Sequence, residues 1–150
     1  MTRIVFDCAL DRELTLEEIA ELPQPEPPTL DELLEARLAE LASARWVKEV
    51  AGIVVQSMPI KTDRESQGLL TAAYVKAMGN PAFTLRWKVA NGVFVTIPAA
   101  LILVAGDAVT AHVQACFGWE DELTTALLAA HAAEDAAALS AVDITAGWPG

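Results

Sequence analysis

His112 and Cys116 are the two side chains in the sequence best suited to metal binding or nucleophilic chemistry. They lie four residues apart, a spacing that places both on one face of a helix. A structural zinc site needs two more ligands, and apart from carboxylates only His131 and Cys8 could supply them. A single helix also brings no third group to orient the histidine and no oxyanion hole. We therefore predict a half-buried histidine beside a core cysteine, with no metal and no catalytic role.

A second candidate site is the polar stretch at residues 61–67, which lies between apolar segments. With the cationic and aromatic residues around position 87 it can form a surface that we call the polar platform. Its members are Asp63, Arg64, Gln67, Arg86, Trp87 and Lys88. One interpretation is a surface that binds a partner protein. The other is a helix cap with an internal ion pair, for instance Asp63 with Arg86, and the frequency of caps at such joints favours it.

Other sequence patterns of catalysis are absent. The glycines form neither a GxGxxG sequence nor a P-loop, and none of the four serines lies in a GxSxG sequence. The many carboxylates fall in runs that are typical of helix starts. We therefore expect a protein that is not an enzyme and uses no cofactor.

Charge is distributed unevenly along the 150 residues, which carry a net charge of -11. Residues 1–49 have a net charge of -7, residues 50–118 of +2 and residues 119–150 of -6. An acidic chain lacks the clustered cations that sequence-independent nucleic-acid binding needs. The longest apolar run, at residues 97–105, is shorter than the roughly 20 residues that span a bilayer. We predict no nucleic-acid partner, no membrane insertion, no signal peptide and synthesis in a cytoplasm.

Proline divides the chain into segments. Four of the six residues at positions 23–28 are proline, which favours an extended spacer. The predicted segments are an N-terminal docking arm (1–22), the proline-rich spacer (23–28), a compact domain (29–139) and a C-terminal tail (140–150). In the arm we predict a strand at residues 3–8 and a helix at 15–22. Strand addition to a partner would use Ile4, Val5 and Phe6.

The compact domain is predicted to alternate helices with hairpins. Capping-box spacings begin two helices, at Thr29 and Thr62, and a tight pair of strands is expected between them within residues 52–60. A third helix starts at Pro98 and ends at Gly118, and an alanine-rich helix follows. The predicted fold class is α+β: a small antiparallel sheet of two short hairpins, covered by three to four helices and preceded by a short strand–helix arm.

The second hairpin has the clearest local signal. Asn91-Gly92 is the dipeptide favoured in two-residue type I′ turns, and it lies between two alternating runs. A two-residue turn here would pair Trp87 with Thr96. The side chains predicted on the core face are then Trp87, Val89 and Phe94.

Several of these segments, taken in order, resemble a known family. They are T-D-R-E-S-Q at residues 62–67, R-W-K at 86–88 followed by N-G, and H-V-Q-A-C-F at 112–117. Over about residues 30–130 the sequence resembles the bacteriophage and prophage family called domain of unknown function 4376. Its opening resembles the N-terminal arms of phage tail-fibre-associated proteins. Members of the family are usually encoded near tail-fibre and tail-tip genes, and the resemblance supplies no catalytic residues.

The resemblance implies a structural or adaptor component of a phage tail, in the fibre or tail-tip region, that acts through protein–protein contacts. Its partners would be other tail proteins, it would reside in the virion, and it would be made in the host cytoplasm. A homo-oligomer is expected if the helix from Thr29 self-associates, and three copies are favoured because related fibres are trimeric. Two alternatives are a fibre-assembly chaperone absent from the mature virion and a small host-surface hydrolase, which would need a cleft with a perturbed acid or base.

Overall fold

The structure is a computed structural model, and it describes residues 6–7, 12–13, 15, 26–88 and 92–150. Within these ranges there are four helices and three two-stranded antiparallel sheets, which confirms the predicted α+β class. The helices are α1 (Leu30–Glu49), α2 (Arg64–Gly79), α3 (Ala99–Ala132) and α4 (Ala136–Ala141). The strands are β1 (Phe6–Asp7), β2 (Arg12–Glu13), β3 (Ile53–Val55), β4 (Met58–Ile60), β5 (Thr84–Lys88) and β6 (Phe94–Pro98).

Each sheet is one pair of neighbouring strands: β1 with β2, β3 with β4, and β5 with β6. The two hairpins of the domain therefore form separate sheets, and the prediction of one shared sheet is wrong in this detail. In the arm, Phe6 is the only predicted docking residue that the structure describes, and it pairs with Glu13. Ile4, Val5 and the predicted arm helix lie outside the described residues.

The long helix α3 organises two hydrophobic clusters. The first lies between α2, the two hairpins and the start of α3, and the second lies between α1, the end of α3, α4 and the residues after α4. The most buried side chains of the first include Ile60, Ala77, Ala99, Ile102 and Ala105, and those of the second include Leu41, Leu127 and Leu139. At about 1.5 Å per residue α3 is roughly 50 Å long, which is why it can join both clusters.

The predicted break at Gly118 is wrong, because α3 continues through it to Ala132. A glycine inside a helix costs only about 1 kcal/mol relative to alanine. Both halves of α3 are fixed by packing, and just after the glycine Glu120 lies 3.2 Å from Arg45 of α1. Tertiary contacts therefore outweigh the local preference for a break.

The register of the second hairpin also differs from the prediction. Trp87 pairs with Val95 and Lys88 with Phe94, one residue away from the register of a two-residue turn. A shift of one residue moves a side chain to the opposite face. Phe94 is consequently 57% exposed on the solvent face, whereas Ile97 is buried. The burial of Ile97 against the core therefore outweighs the preference of Asn91-Gly92 for a two-residue turn. Val89, the third side chain predicted on the core face, lies outside the described residues.

By length and composition α3 could also cross a membrane. Its most apolar 18-residue window has a mean hydropathy of 1.5, and 28% of that window is buried. The core helix of a soluble protein meets the same criteria, and α3 contacts α1, α2, β3 and β6. Its exposed face carries the polar residues Asp107 and Gln114. The absence of membrane insertion stays a prediction.

Candidate functional site

The polar platform divides into two groups of residues that face different ways. Four of its members line a cleft between the start of α2 and the β5–β6 hairpin, with a volume of about 680 Å³. We call this the platform cleft. It is lined by Lys61, Asp63, Glu65, Ser66, Leu69, Arg86, Trp87, Lys88, Gly92 and Phe94. Arg64 and Gln67 do not line it, because they lie on the other side of α2.

Phe94 is the exposed aromatic group of the platform cleft. The guanidinium of Arg86 lies 5.7 Å from the centre of its ring, and the amine of Lys88 lies 5.8 Å from it. Both distances are within the range of cation–π attraction. The alternation of β5 and β6 places these three side chains on the solvent face, and Trp87 points to the opposite face, where it packs half-buried against the first cluster.

Asp63 caps α2, a role that the sequence assigned to Thr62. One carboxylate oxygen of Asp63 accepts from the Ser66 backbone N–H at 2.9 Å, and the other accepts from the Ser66 hydroxyl at 2.9 Å. These hydrogen bonds lower the pKa of Asp63, and the nearby charge of Lys61 adds to the effect. No ion pair joins Asp63 to Arg86 among the described residues. Asp63 thus serves the helix start and is only partly available to a ligand.

Thr62 has a different, buried role. Its hydroxyl accepts from the Gly52 backbone N–H at 2.9 Å and donates to the Glu49 carbonyl at 2.6 Å. The predicted capping box does not form, because the buried hydroxyl of Thr62 is directed toward Gly52 and Glu49, where it ties the end of α1 to the chain before α2. The next residue, with its acceptor-only carboxylate, takes over the cap.

Arg64 and Gln67 belong to a polar network that joins the surface of α2 to the buried end of α1. Arg64 lies 2.9 Å from one carboxylate oxygen of Glu49, whose side chain is fully buried, and Arg45 binds the other oxygen. The Gln67 amide donates to the Thr62 carbonyl at 2.6 Å. A buried carboxylate is tolerated only when it is paired, and here two guanidinium groups hold it. These contacts join α1 to α2, as the structural interpretation expects.

His112 and Cys116 lie together on α3 as predicted, but His112 is buried, because it packs against the end of α1, whereas the sequence predicted it half-buried. The His112 Nε2 atom is 3.2 Å from the Lys48 carbonyl oxygen and 3.8 Å from the Cys116 sulfur. Cys116 is fully buried, and burial raises the pKa of its thiol; the charge of Glu49 adds to this effect and that of Arg45 opposes it. A closed, protonated thiol is a poor nucleophile. Within the described ranges no three His, Cys, Asp or Glu residues are grouped so as to hold a metal ion.

Sequence reasoning missed a second concave surface, a groove of about 600 Å³ between α2 and α3. At its edge the Tyr74 hydroxyl donates to Asp107 at 2.9 Å, and this bond raises the pKa of Tyr74. Gly106 permits the contact, since a Cβ atom there would lie 2.4 Å from the Tyr74 ring. An isolated glycine in an otherwise apolar helix was the signal of this close approach.

The fold and the platform cleft together define a helix-rich α+β domain built on one long helix, with a surface cleft that combines aromatic, apolar and cationic groups. The chain belongs to the family described as domain of unknown function (DUF4376), whose model matches residues 32–146. The match runs from the first turn of α1 to the residues after α4, and it confirms the family resemblance seen in the sequence. In the comparisons with curated proteins and with solved structures, nothing matched.

Proposed function

We propose that this protein is a structural or adaptor component of a bacteriophage tail, in the fibre or tail-tip region, and that it acts through protein–protein contacts. The phage-tail context is supported by the sequence resemblance. The mode of action is supported by one observation, the exposed Phe94 in the platform cleft between Arg86 and Lys88.

Energetics favour a protein partner for this cleft. Phe94 and Leu69 are each 57% exposed, and both line the cleft. Covering one such side chain contributes roughly 1.5–3 kcal/mol when its burial is complete. Aromatic and arginine side chains are also the types that most often dominate binding at protein interfaces. The cleft therefore offers an apolar anchor and adjacent charges that select the partner.

The composition of purified phage particles tests the tail role. A structural component is present in particles at a fixed copy number relative to other tail proteins, as measured by quantitative mass spectrometry. A protein that is abundant in the infected cell and absent from particles would instead be the assembly chaperone, for which the acidic flanks are the supporting feature. Either result separates the two roles, and the first localises the protein to the virion.

A complementation experiment tests the cleft. In a phage that lacks the gene, a Phe94→Ala protein should restore fewer infectious particles than the unaltered protein. Val75→Ala is the matched control, because Val75 is an equally exposed apolar residue on α2 that does not line the cleft. Full rescue by Phe94→Ala would show that the cleft does not carry the function.

A further inference from the structure

The platform cleft contains most of the free positive charge in the described part of the chain. Among its described residues, Arg37, Arg45 and Arg64 form salt bridges with carboxylates. Within residues 26–88 and 92–150 five other Lys and Arg side chains form no salt bridge with a described residue, and three of them, Lys61, Arg86 and Lys88, line this one cleft. Of the two carboxylates that also line it, Asp63 is occupied by Ser66. Asp63 and Glu65 together oppose the three cations, so these five side chains give the cleft a net charge of +1.

The same chain carries a segment of complementary chemistry. Residues 16–22 of the arm have the sequence L-E-E-I-A-E-L, which contains three glutamates and three large apolar residues. The apolar residues recur every three positions, the spacing of one helix face. This segment lies outside the described residues, so the complementarity rests on its sequence. It could place carboxylates on Lys61, Arg86 and Lys88 and apolar side chains on Phe94 and Leu69.

We propose that the platform cleft binds the acidic arm of a second copy of this chain. The inference deepens the proposed contact-based role and rests on it. The cations of the cleft would pair with Glu17, Glu18 and Glu21, and the exposed Phe94 and Leu69 would cover Leu16, Ile19 and Leu22. Charge would select the arm, and apolar contact would hold it.

Chain length favours a second copy over the arm of the same chain. The 20 residues of α1 extend about 30 Å. One end of α1 is fixed to the end of α3 by Asp31, which lies 2.7 Å from His131, and the other end reaches α2 through Glu49 and Arg64. Leu30 follows Glu21 by nine positions, and that length of chain reaches at most about 30 Å when fully extended. The arm of the same chain would thus have to be stretched to its limit.

An arm that binds in the cleft of the next copy is a head-to-tail contact. Such contacts close into a ring when the rotation between copies allows it and otherwise continue as a filament. A ring of three would agree with the copy number expected from the sequence. Because the contact has two different halves, a protein that lacks only the arm should still associate with a protein that lacks only a working cleft.

The test uses the full chain and two variants, with masses measured by light scattering. The full chain should exceed the monomer mass, and its association should weaken with added salt. A protein without residues 1–22 and an Arg86→Glu, Lys88→Glu protein should each be monomeric. Mixed together, they should form a one-to-one pair, because the first retains the cleft and the second retains the arm.

Two further measurements make the test specific. Lys76→Glu is the matched control, since Lys76 is an exposed α2 lysine outside the cleft with no salt bridge among the described residues, and it should associate like the unaltered chain. A labelled peptide of residues 11–26 should bind the arm-deleted protein, and the Arg86→Glu, Lys88→Glu substitutions should raise its Kd at least about tenfold. Circular dichroism checks that each variant is folded, which is expected because both side chains point to solvent.

A full chain that is monomeric at every concentration would overturn the inference. The same holds if both variants still self-associate, or if the mixture of the two variants stays monomeric. These outcomes are independent of the particle-composition test. A monomeric protein that is nevertheless found in particles would refute this contact and leave the tail role standing. A self-associating protein that is absent from particles would refute the structural tail role and leave this contact standing.

Discussion

Two glycines of α3 give a sharp test of the packing described above. Both lie inside the helix, and each loses about 1 kcal/mol of helix propensity relative to alanine. At Gly118 an added Cβ would meet nothing within 4 Å, whereas at Gly106 it would lie 2.4 Å from Cδ2 and 3.3 Å from Cγ of Tyr74. The short distances involve the base of the ring, so the whole side chain has to move.

We expect opposite signs for the two alanine substitutions. Gly118→Ala should raise the free energy of unfolding by about 1 kcal/mol. Gly106→Ala should gain the same propensity but incur an overpacking cost of about 1–3 kcal/mol and displace the Tyr74 hydroxyl from Asp107. The net effect should be a loss of about 1 kcal/mol, which corresponds to a fall of roughly 2–4 °C in Tm for a chain of this size.

Urea denaturation followed by circular dichroism measures both values, and a second background isolates the cause. When Tyr74 is replaced by alanine, Gly106→Ala should become stabilising and match Gly118→Ala, because the obstructing ring is gone. The reasoning would be refuted if Gly106→Ala stabilised the unaltered protein as much as Gly118→Ala does. It would also be refuted if removal of the Tyr74 ring left the sign unchanged.

The remaining predictions concern the buried network, the α2 cap, the core thiol and α3. Glu49→Ala should destabilise the protein by about 2–3 kcal/mol in urea denaturation, since it removes the buried partner of Arg45 and leaves that guanidinium with the partly exposed Glu120; a loss below about 1 kcal/mol would contradict the described network. Asp63→Ala should cost about 1 kcal/mol at pH 7. Because the folded-state pKa of Asp63 is lowered from its usual 3.8, this contribution is complete above that value and disappears as pH falls through the lowered pKa. The difference from the unaltered protein should therefore shrink in acid, and a constant difference would argue against the cap. In a Cys8→Ala protein, Cys116 should react with a thiol reagent only after denaturant is added, and rapid reaction of this folded variant would contradict the burial of Cys116. The protein should not co-float with lipid vesicles, because Asp107 on the exposed face of α3 would have to enter the bilayer.

Local signals in the sequence were sufficient where one short-range interaction decides the structure. The capping box at Thr29 is present, with the Thr29 N–H donating to Glu32 at 2.8 Å and the Glu32 N–H donating back to the Thr29 hydroxyl at 3.2 Å. The tight strand pair within residues 52–60 is also confirmed, with Val55 paired to Met58 around a two-residue turn. In each case the partners lie within a few residues, so tertiary structure adds no competing term.

Sequence reasoning failed where distant contacts compete with local preference. Gly118 has the propensity of a helix end, but the packing of α1 on both sides of it keeps the helix continuous. Asn91-Gly92 favours a two-residue turn, but the burial of Ile97 shifts the register and exposes Phe94. The local preference for a break at a glycine is worth about 1 kcal/mol, whereas burial of a large side chain contributes several kcal/mol to the free energy of folding.

The candidate site was predicted in composition but not in arrangement. Placing residues 63–67 on a helix would have separated them, because positions 65 and 69 share one face while 64 and 67 lie on another. The helical period thus explains why Arg64 reaches the buried Glu49 and Glu65 lines the cleft. The burial of Glu49 itself had no signal, since it ends a helix whose other acids are mostly exposed.

The antiparallel packing of α1 on α3 has a mechanical consequence. Asp31 contacts His131 near one end of α1, Arg45 contacts Glu120 further along, and Lys48 contacts His112 near the other end. A pull on the arm along the axis of α1 would load these contacts simultaneously in shear, instead of peeling them apart in sequence. The domain is thus arranged to transmit tension from the arm into a 34-residue helix and, through that helix, to both hydrophobic clusters.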